Sequence, residues 1–549
     1  MPPSVLPPRP VFDSAPRTYT RREILALTGK AVVAGALAPQ LALAREEHSA
    51  ETFGAVVGNV VAAKIGEKIL REGGNAIDAA VGAAFAACIA APSSCGIGGY
   101  GGHAMIALSG GKKITAIDFN SIAPAAARPD MFPLDANGRG QGNVNVHGWL
   151  AAGVPGTIAG LELALGRYGT RSLRDVLAPA IQLCDAGTHA APVKGIDDLA
   201  RGDSAPASPG ERAKQRTLAL GRLLKTLAAR NTTESFYRGD IAVTIARAFQ
   251  RHGGLVTVED LAAYRAREVE PLTLDWNGVT LHTAPLTATG LLVLEACSIL
   301  KALDWTRLSE PQRLHAKLEA LRIAWADRLR TFGDPEHVKV PVEKFLSPAY
   351  AGEMAEKVAT ALQERKPVAQ EVRASRAGGT INHSATDRHG NMMAVTITHG
   401  GGYGAKVAVE ELGLILGHGM SRFDPRPGLP NSPGPRKRPV DNMCPTIVTR
   451  DGVPVFAVGG AGGTRIPNGV YEVLLNYAGL GAPIEAALSA PRLDTNGTLR
   501  LNVEKTSPRS TDAFFRELGY EVSRTGSAYI SAVSFDPKTG RATGMARGG

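Results

Sequence analysis

Apolar positions recur with helical spacing over the first two thirds of the chain and with strand alternation over the last third. Residues 60–70 and 76–90 carry apolar side chains at helical intervals, and the second run is so rich in alanine that it predicts a helix buried on most sides. Pro92 stops it. The stretch Cys95-Gly96-Ile97-Gly98-Gly99-Tyr100-Gly101-Gly102 predicts a tight loop, and residues 105–108 and 113–118 predict a hairpin turning at Gly110-Gly111. From about 172 to 366 the pattern is largely helical, with a polar stretch at 202–214 in which residues 204–209 read as a mobile surface loop inside one folding unit. From Thr380 onward alternation takes over: residues 381–387, 392–398, 446–450, 453–458 and 528–535 predict strands. Helices together with sheets imply a layered α+β body.

The first 50 residues follow another pattern. Arg21-Arg22, a mildly apolar stretch that ends at Ala38, and Ala42-Leu43-Ala44 form the basic, apolar and cleavage parts of an export signal. Paired arginines ahead of a weak core interrupted by Lys30 are similar to the twin-arginine type, which carries folded proteins across a membrane. Residues 1–44 are therefore expected to be a signal peptide and the mature protein to be periplasmic or secreted. No other stretch approaches the ~18 apolar residues of a spanning helix, so no stable membrane span is expected.

Composition narrows the functional classes. With 44% hydrophobic and 20% charged residues, the 549-residue chain falls in the globular range. A net charge of +10 raises nucleic acid as a partner, yet the basic residues are scattered and no cluster is interleaved with aromatics, so no nucleic-acid partner is expected. The five cysteines are an odd number without a C-x-x-C pair, which leaves a zinc knuckle or a disulfide framework without support and allows at most two disulfides. H-E-x-x-H, EF-hand, G-K-[ST] and complete G-x-S-x-G motifs are all missing; Gly419-Met420-Ser421-Arg422-Phe423 lacks the second glycine. No metal, no cofactor and no serine nucleophile are expected.

What remains is the junction Gly378-Gly379-Thr380-Ile381-Asn382, where two glycines precede a threonine that opens a strand. A threonine hydroxyl lacks a base on its own residue unless that residue is a chain terminus, whose free amine can take the proton. Cleavage between Gly379 and Thr380 would create that base. Two glycines leave the carbonyl of Gly379 unshielded and permit backbone strain, so the Thr380 hydroxyl can attack it. From local residues alone, a glycine turn leading into an edge strand explains the same junction.

The company of this junction is informative. Gly54-Ala55-Val56-Val57, Gly73-Gly74-Asn75-Ala76-Ile77-Asp78, Gly96-Ile97-Gly98-Gly99, Asp118-Phe119, Gly153-Val154-Pro155-Gly156-Thr157, Pro445-Thr446 and Gly459-Gly460-Ala461-Gly462-Gly463-Thr464-Arg465, in this order, resemble the γ-glutamyltransferase (glutathione hydrolase) family over about residues 50–549. The resemblance implies a four-layer αββα N-terminal-nucleophile fold. It also implies one precursor cut into a large subunit, 45–379, and a small subunit, 380–549, which stay together as a heterodimer. By the same resemblance Thr380 is the nucleophile, Thr398 its hydrogen-bonding threonine, and Gly462 and Gly463 supply the backbone N–H groups of the oxyanion hole.

The substrate pocket departs from the family. Its D-F-R-E motif, whose arginine grips an α-carboxylate, is Asp118-Phe119-Asn120-Ser121 here. Gly400, Gly419 and Arg422 stand for the asparagine, glutamine or glutamate, and aspartate around the α-amino group, and Asp441-Asn442 for the paired serines. A guanidinium a few Å from an α-ammonium would repel it by about 4 kcal/mol at an effective dielectric of 20. The expected reaction is hydrolysis or transfer of γ-glutamyl-type amides, from a small-molecule donor to water or an amine, through an acyl-enzyme on Thr380 in an altered pocket. An acylase or small amidohydrolase acting on a non-glutamyl acyl group is the alternative within the family. An uncleaved periplasmic binding protein that keeps the fold is the alternative of another class.

Overall fold

The structure, a computed structural model, describes residues 46–48, 53–187, 209–370 and 380–548. The signal segment 1–44, most of the surface loop at 204–209, and Gly379 with its cleavage site lie outside the described residues.

The expected helices form at Val60–Arg71 and Ala76–Ala90. Asn75 caps the second one: its side chain accepts from Ile77 and Asp78 N–H while the Asp78 carboxylate accepts from Asn75 N–H. Alanine lets this helix be buried on nearly every side, and from Ala76 to Ile89 every residue is buried.

Two antiparallel sheets form the centre. The first has six strands in the order Gly54–Val57, Ile381–Asp387, Met392–Thr398, Gly101–Ala107, Ile114–Asp118, Arg267–Val269. The second has seven: Glu46–His48, Arg541–Arg547, Tyr529–Asp536, Val453–Ala461, Thr446–Arg450, Val279–Thr283, Leu272–Trp276. Alternate side chains point to opposite faces of a strand, and here both faces are covered. Ala104 and Ile106 join a core with the helices Val60–Arg71, Ala76–Ala90 and Thr157–Tyr168, whereas Met105 and Ala107 join a core between the sheets with Ile447, Ala457 and Val533. On the far side Leu281, Val448, Phe456 and Ile530 pack under the helices Gly290–Ala302, Glu310–Thr331 and Arg465–Leu474. The order of layers is helix, sheet, sheet, helix, as expected for an αββα sandwich. Alanines dominate the inter-sheet core, which fits a chain with 5% aromatic residues.

The strands expected after Thr380 all form, at Ile381–Asp387, Met392–Thr398, Thr446–Arg450, Val453–Ala461 and Tyr529–Asp536. The largely helical reading of 172–366 needs correction. Leu272–Trp276 and Val279–Thr283 pair as a hairpin around Asn277-Gly278, whose φ angles of 49° and 75° are those of the tight turn that this dipeptide favours. Among the described residues all five cysteines are buried free thiols, and no helix is long and apolar enough to cross a membrane.

One buried acid makes stability depend on pH. Glu295, fully buried in Gly290–Ala302, is held well above the usual carboxylate range, first by burial and then by Asp327 beside it. A folded-state pKa above the unfolded one gives stability that is complete at acid pH and lost as pH rises through the folded value. Within that window the slope is about 1.4 kcal/mol per pH unit for one proton. Glu295→Gln removes this loss, so the melting temperature of the variant relative to the parent is expected to rise from about pH 5 to pH 8. A difference that stays constant with pH would count against a protonated Glu295.

Candidate active site

Thr380 is half-buried and stands immediately before the strand Ile381–Asp387, one strand in from the edge of the first sheet. The far end of that strand is fixed by Asp387, whose Oδ1 accepts the N–H groups of His389 and Asn391 in the turn. Its Oδ2 accepts the Ala76 N–H at the start of the buried helix. One carboxylate thus ties the hairpin to the helix and holds the whole strand in place.

The partner strand Met392–Thr398 brings Thr398 beside Thr380, with the two hydroxyl oxygens 3.4 Å apart. Thr398 is fully buried, and its Oγ1 accepts the N–H of Gly400 at 2.7 Å. Gly400 has φ +99°, and a Cβ there would lie 2.1 Å from the His418 ring, so only glycine allows the bend that aims its N–H at Thr398. Arg422 Nη2 donates to the Gly400 carbonyl at 3.1 Å and lies 3.4 Å from His418 Nε2. Burial, with Arg422 beside it, pushes His418 down to about 3, which leaves this imidazole neutral. Thr380, Thr398, Gly400 and Arg422 form one continuous chain of contacts.

The glycine pair reaches the same end of the molecule. Asn382 donates to Ser531 Oγ at 2.8 Å, Ser384 donates to the Ser531 carbonyl at 3.0 Å, and Gly390 packs on Phe535, so Tyr529–Asp536 runs in the same sense as Ile381–Asp387. Its antiparallel neighbour Val453–Ala461 pairs Gly459 with Ser531 and runs the other way. That strand therefore ends where Thr380 begins, and Gly462 and Gly463, with φ of +134° and +66°, lead from it into the helix Arg465–Leu474.

The positions expected to bind substrate fall into two groups. Arg422 and Gly400 belong to the chain just described, and Gly419 is packed on Ser121 and Tyr100. Asn120, Asp441 and Asn442 are buried and tied to the protein. Asn120 Nδ2 donates to Thr287 Oγ1 at 2.8 Å and to the Pro439 carbonyl at 2.6 Å, while its Oδ1 is buried without a hydrogen bond. Arg328 Nη2 donates to Asn442 Oδ1 and to the Asp441 carbonyl, both at 2.7 Å. The Asp441 carboxylate accepts the Met443 N–H and lies 3.1 Å from His103 Nε2. Asp424 is paired with Arg426, and the Asp441 carboxylate faces His103, so neither acid pairs with Arg422.

Three participants carry no local signature that sequence reasoning singled out. Tyr100, inside the glycine loop, is fully buried, lies against Gly400 and feels the charges of both Arg422 and Asp441. Burial keeps its hydroxyl protonated far above neutral pH. Arg328, on the helix Glu310–Thr331, is pulled down to about 10 by burial, an effect that Asp441 opposes and Arg422 reinforces. Burial alone would lower His103, but Asp441 and then Asp118 outweigh it and raise the imidazole above its ordinary value. Arg328 and the His103 imidazole stand beside the Asp441 carboxylate, and Arg422 acts electrostatically on Arg328 and Tyr100. Among the described residues no group of three or more His, Cys, Asp or Glu is placed to hold a metal ion. A cavity of about 300 Å³ bounded by Trp276, Leu300 and Trp305 lies at the opposite edge of the second sheet and includes none of these residues.

Comparison with known proteins accords with this arrangement. The family model for gamma-glutamyltranspeptidase matches residues 62–547. The glutathione hydrolase proenzyme of Escherichia coli (strain K12) is 34% identical over 515 residues, covering 86% of this chain and 88% of that protein. The Acylase ACY 1 proenzyme of Pseudomonas sp. (strain V22) is 32% identical over 516 residues, covering 89% and 91%. Among solved structures, cephalosporin acylase from Bacillus halodurans superposes with a TM-score of 0.76 at 25% identity, over 94% of this chain and 98% of that one.

Proposed function

This chain belongs to the γ-glutamyltranspeptidase family, and from that membership we propose that it is a precursor that cuts itself before Thr380 and then hydrolyses or transfers the acyl group of amides. The observation that carries the reading is the hydroxyl of Thr380, 3.4 Å from a buried Thr398 whose own oxygen is held by the Gly400 N–H. In the first reaction the Thr380 hydroxyl attacks the Gly379 carbonyl, the acyl group moves from nitrogen to oxygen, and water releases it. The large subunit, 45–379, then ends at Gly379, and the small subunit, 380–549, begins with a free α-amine. In the second reaction that amine takes the hydroxyl proton while the oxygen attacks the substrate carbonyl. The N–H groups of Gly462 and Gly463 receive the developing oxyanion. When the tetrahedral intermediate collapses, the C–N bond breaks, the leaving amine takes the proton from the α-ammonium, and water or an amine then collects the acyl group from Thr380. Arg21-Arg22 support export to the periplasm or beyond, through a signal removed after Ala44.

The charges around the pocket support an acyl group that is anionic or neutral and has no α-ammonium. Arg328 and His103 flank one carboxylate, Asp441, Arg422 lies within electrostatic reach of Arg328, and Asn120 stands where the family arginine would hold an α-carboxylate. A glutaryl or related acyl group fits this field better than the zwitterionic γ-glutamyl group. This reading favours an acylase-like specificity on the family's machinery.

A denaturing gel with N-terminal sequencing and a set of matched anilides tests both parts. Two chains are expected, the smaller starting Thr380-Ile381-Asn382. Glutaryl anilide is γ-glutamyl anilide without its amino group, γ-aminobutyryl anilide keeps the ammonium and lacks the carboxylate, and butyryl anilide lacks both. The expected order of kcat/KM is glutaryl, butyryl, γ-glutamyl, γ-aminobutyryl. Arg422→Asp should raise γ-glutamyl over glutaryl by about tenfold or more, a small part of the interaction at close range. Equal changes for all four amides would mean that Arg422 supports structure and does not select substrate. A single intact chain would favour the binding-protein alternative.

A further inference from the structure

Beside the acyl site lies a buried histidine–carboxylate contact that the reaction itself does not use. Asp441 has no solvent exposure, and one of its carboxylate oxygens accepts the Met443 N–H. The other faces His103 Nε2 at 3.1 Å, and His103 is 1% exposed. On its other side His103 Nδ1 lies 3.9 Å from Asp118 Oδ1. Asp118 already has two guanidinium partners, Arg267 and, at 3.7 Å, Arg438. The histidine is thus the cation left for Asp441. Arg328 gives its Nη2 to the Asp441 backbone carbonyl and Asn442, and Arg422 gives its Nη2 to the Gly400 carbonyl.

We propose that His103 sets the acyl selectivity of the site through Asp441. As an imidazolium it cancels the Asp441 charge and leaves Arg328 and Arg422 to attract an anionic acyl group. As a neutral imidazole it leaves a buried carboxylate beside the pocket that repels the same group. The inference deepens the proposed function and rests on it, since it names the residue that controls the charge preference of that site.

The groups facing the pair make it a switch near neutral pH. Asp441 and Asp118 raise His103 above its ordinary value against burial and Arg267. Around Asp441 stand Arg328, Tyr100 and Cys444, and Arg422 acts on the first two of these. Tyr100 and Cys444 are kept protonated by burial far above neutrality, and Arg328, pulled down only to about 10, keeps its charge there. His103 is therefore the group of this set whose charge changes first as pH rises from neutrality.

The test is the ratio of kcat/KM for glutaryl anilide to that for butyryl anilide from about pH 6 to pH 9, measured on the processed enzyme. The ratio is expected to fall at least tenfold with rising pH in the parent enzyme. It should be low and flat in His103→Gln, and high and flat in Asp441→Asn and in the double variant. A merely structural role would lower both substrates together and leave the ratio unchanged. Should His103→Gln fail to fold, the parent and Asp441→Asn profiles decide. A cut, active parent enzyme whose ratio is flat with pH overturns the inference while the proposed function stands. An uncut, inactive parent overturns the proposed function first and the inference with it.

Discussion

Thr380→Ala is expected to migrate as one intact chain after export and to be inactive on every amide that the parent enzyme cleaves. One hydroxyl is proposed to serve twice, first on the Gly379 carbonyl and then on the substrate, so its removal abolishes both reactions. Loss of a nucleophile costs on the order of 10⁴-fold to 10⁶-fold in turnover, which places the variant at background. The substitution should leave the fold in place. Thr380 is half-buried, and its hydroxyl contributes a 3.4 Å contact to Thr398 but no bond on which the hairpin depends, since Asp387 anchors the far end. A melting temperature close to that of the unprocessed parent would show this. Thr380→Ser retains a hydroxyl and should still be cut, more slowly. Appearance of the small chain in Thr380→Ala would place the cut, or its agent, elsewhere.

Much of the sandwich can be read along the chain because its strands alternate strongly. Ile381–Asp387 and Met392–Thr398 put Ala385, Met393 and Val395 toward the helices, and Ala394 toward the second sheet, around a Gly390 turn. The hairpin at Leu272–Trp276 and Val279–Thr283 was equally legible in principle, since Asn277-Gly278 is the strongest short-range hairpin signal, but the surrounding helical periodicity masks it. Arg541–Arg547 is another case: its inter-sheet residues are Ala542 and Ala546, too small to give a hydrophobic period.

The candidate site divides along the same physical line. Thr380, Thr398 and the Gly462-Gly463 pair could be proposed from the sequence because the family resemblance marks them, and the fold brings them to one end of the molecule. His103, Tyr100 and Arg328 could not, because their parts in the site arise from contacts across the fold. A histidine in an apolar strand or an arginine within a helix has no local signature of its partner. Asp441 shows the difference: the sequence marks it as a departure from the family, and only the fold reveals the His103 imidazole 3.1 Å from its carboxylate.

Thr398→Val tests whether the second threonine acts in the reaction or merely fills the strand. The side chains have nearly the same shape, so the packing against Gly101 on the neighbouring strand should survive. The substitution removes the only side-chain oxygen at that position. It leaves the Gly400 N–H, now held at 2.7 Å, without this acceptor in a buried place, at a cost of about 1 to 3 kcal/mol. Thr380 Oγ1 also loses its neighbour at 3.4 Å, the hydroxyl placed to steer its proton and orient its lone pair during attack. Losses of this kind amount to roughly 10² to 10⁴ in rate. Self-cleavage should slow by about that factor, so that days-old preparations still contain precursor, and kcat of the chain that is cut should fall while KM for glutaryl anilide changes little. Thr398→Ser, which keeps the oxygen and gives up a methyl group, should restore both rates to within about tenfold of the parent. If valine instead cuts and turns over at the parent rate, Thr398 is a β-branched strand residue and the orientation of Thr380 rests on its own α-amine.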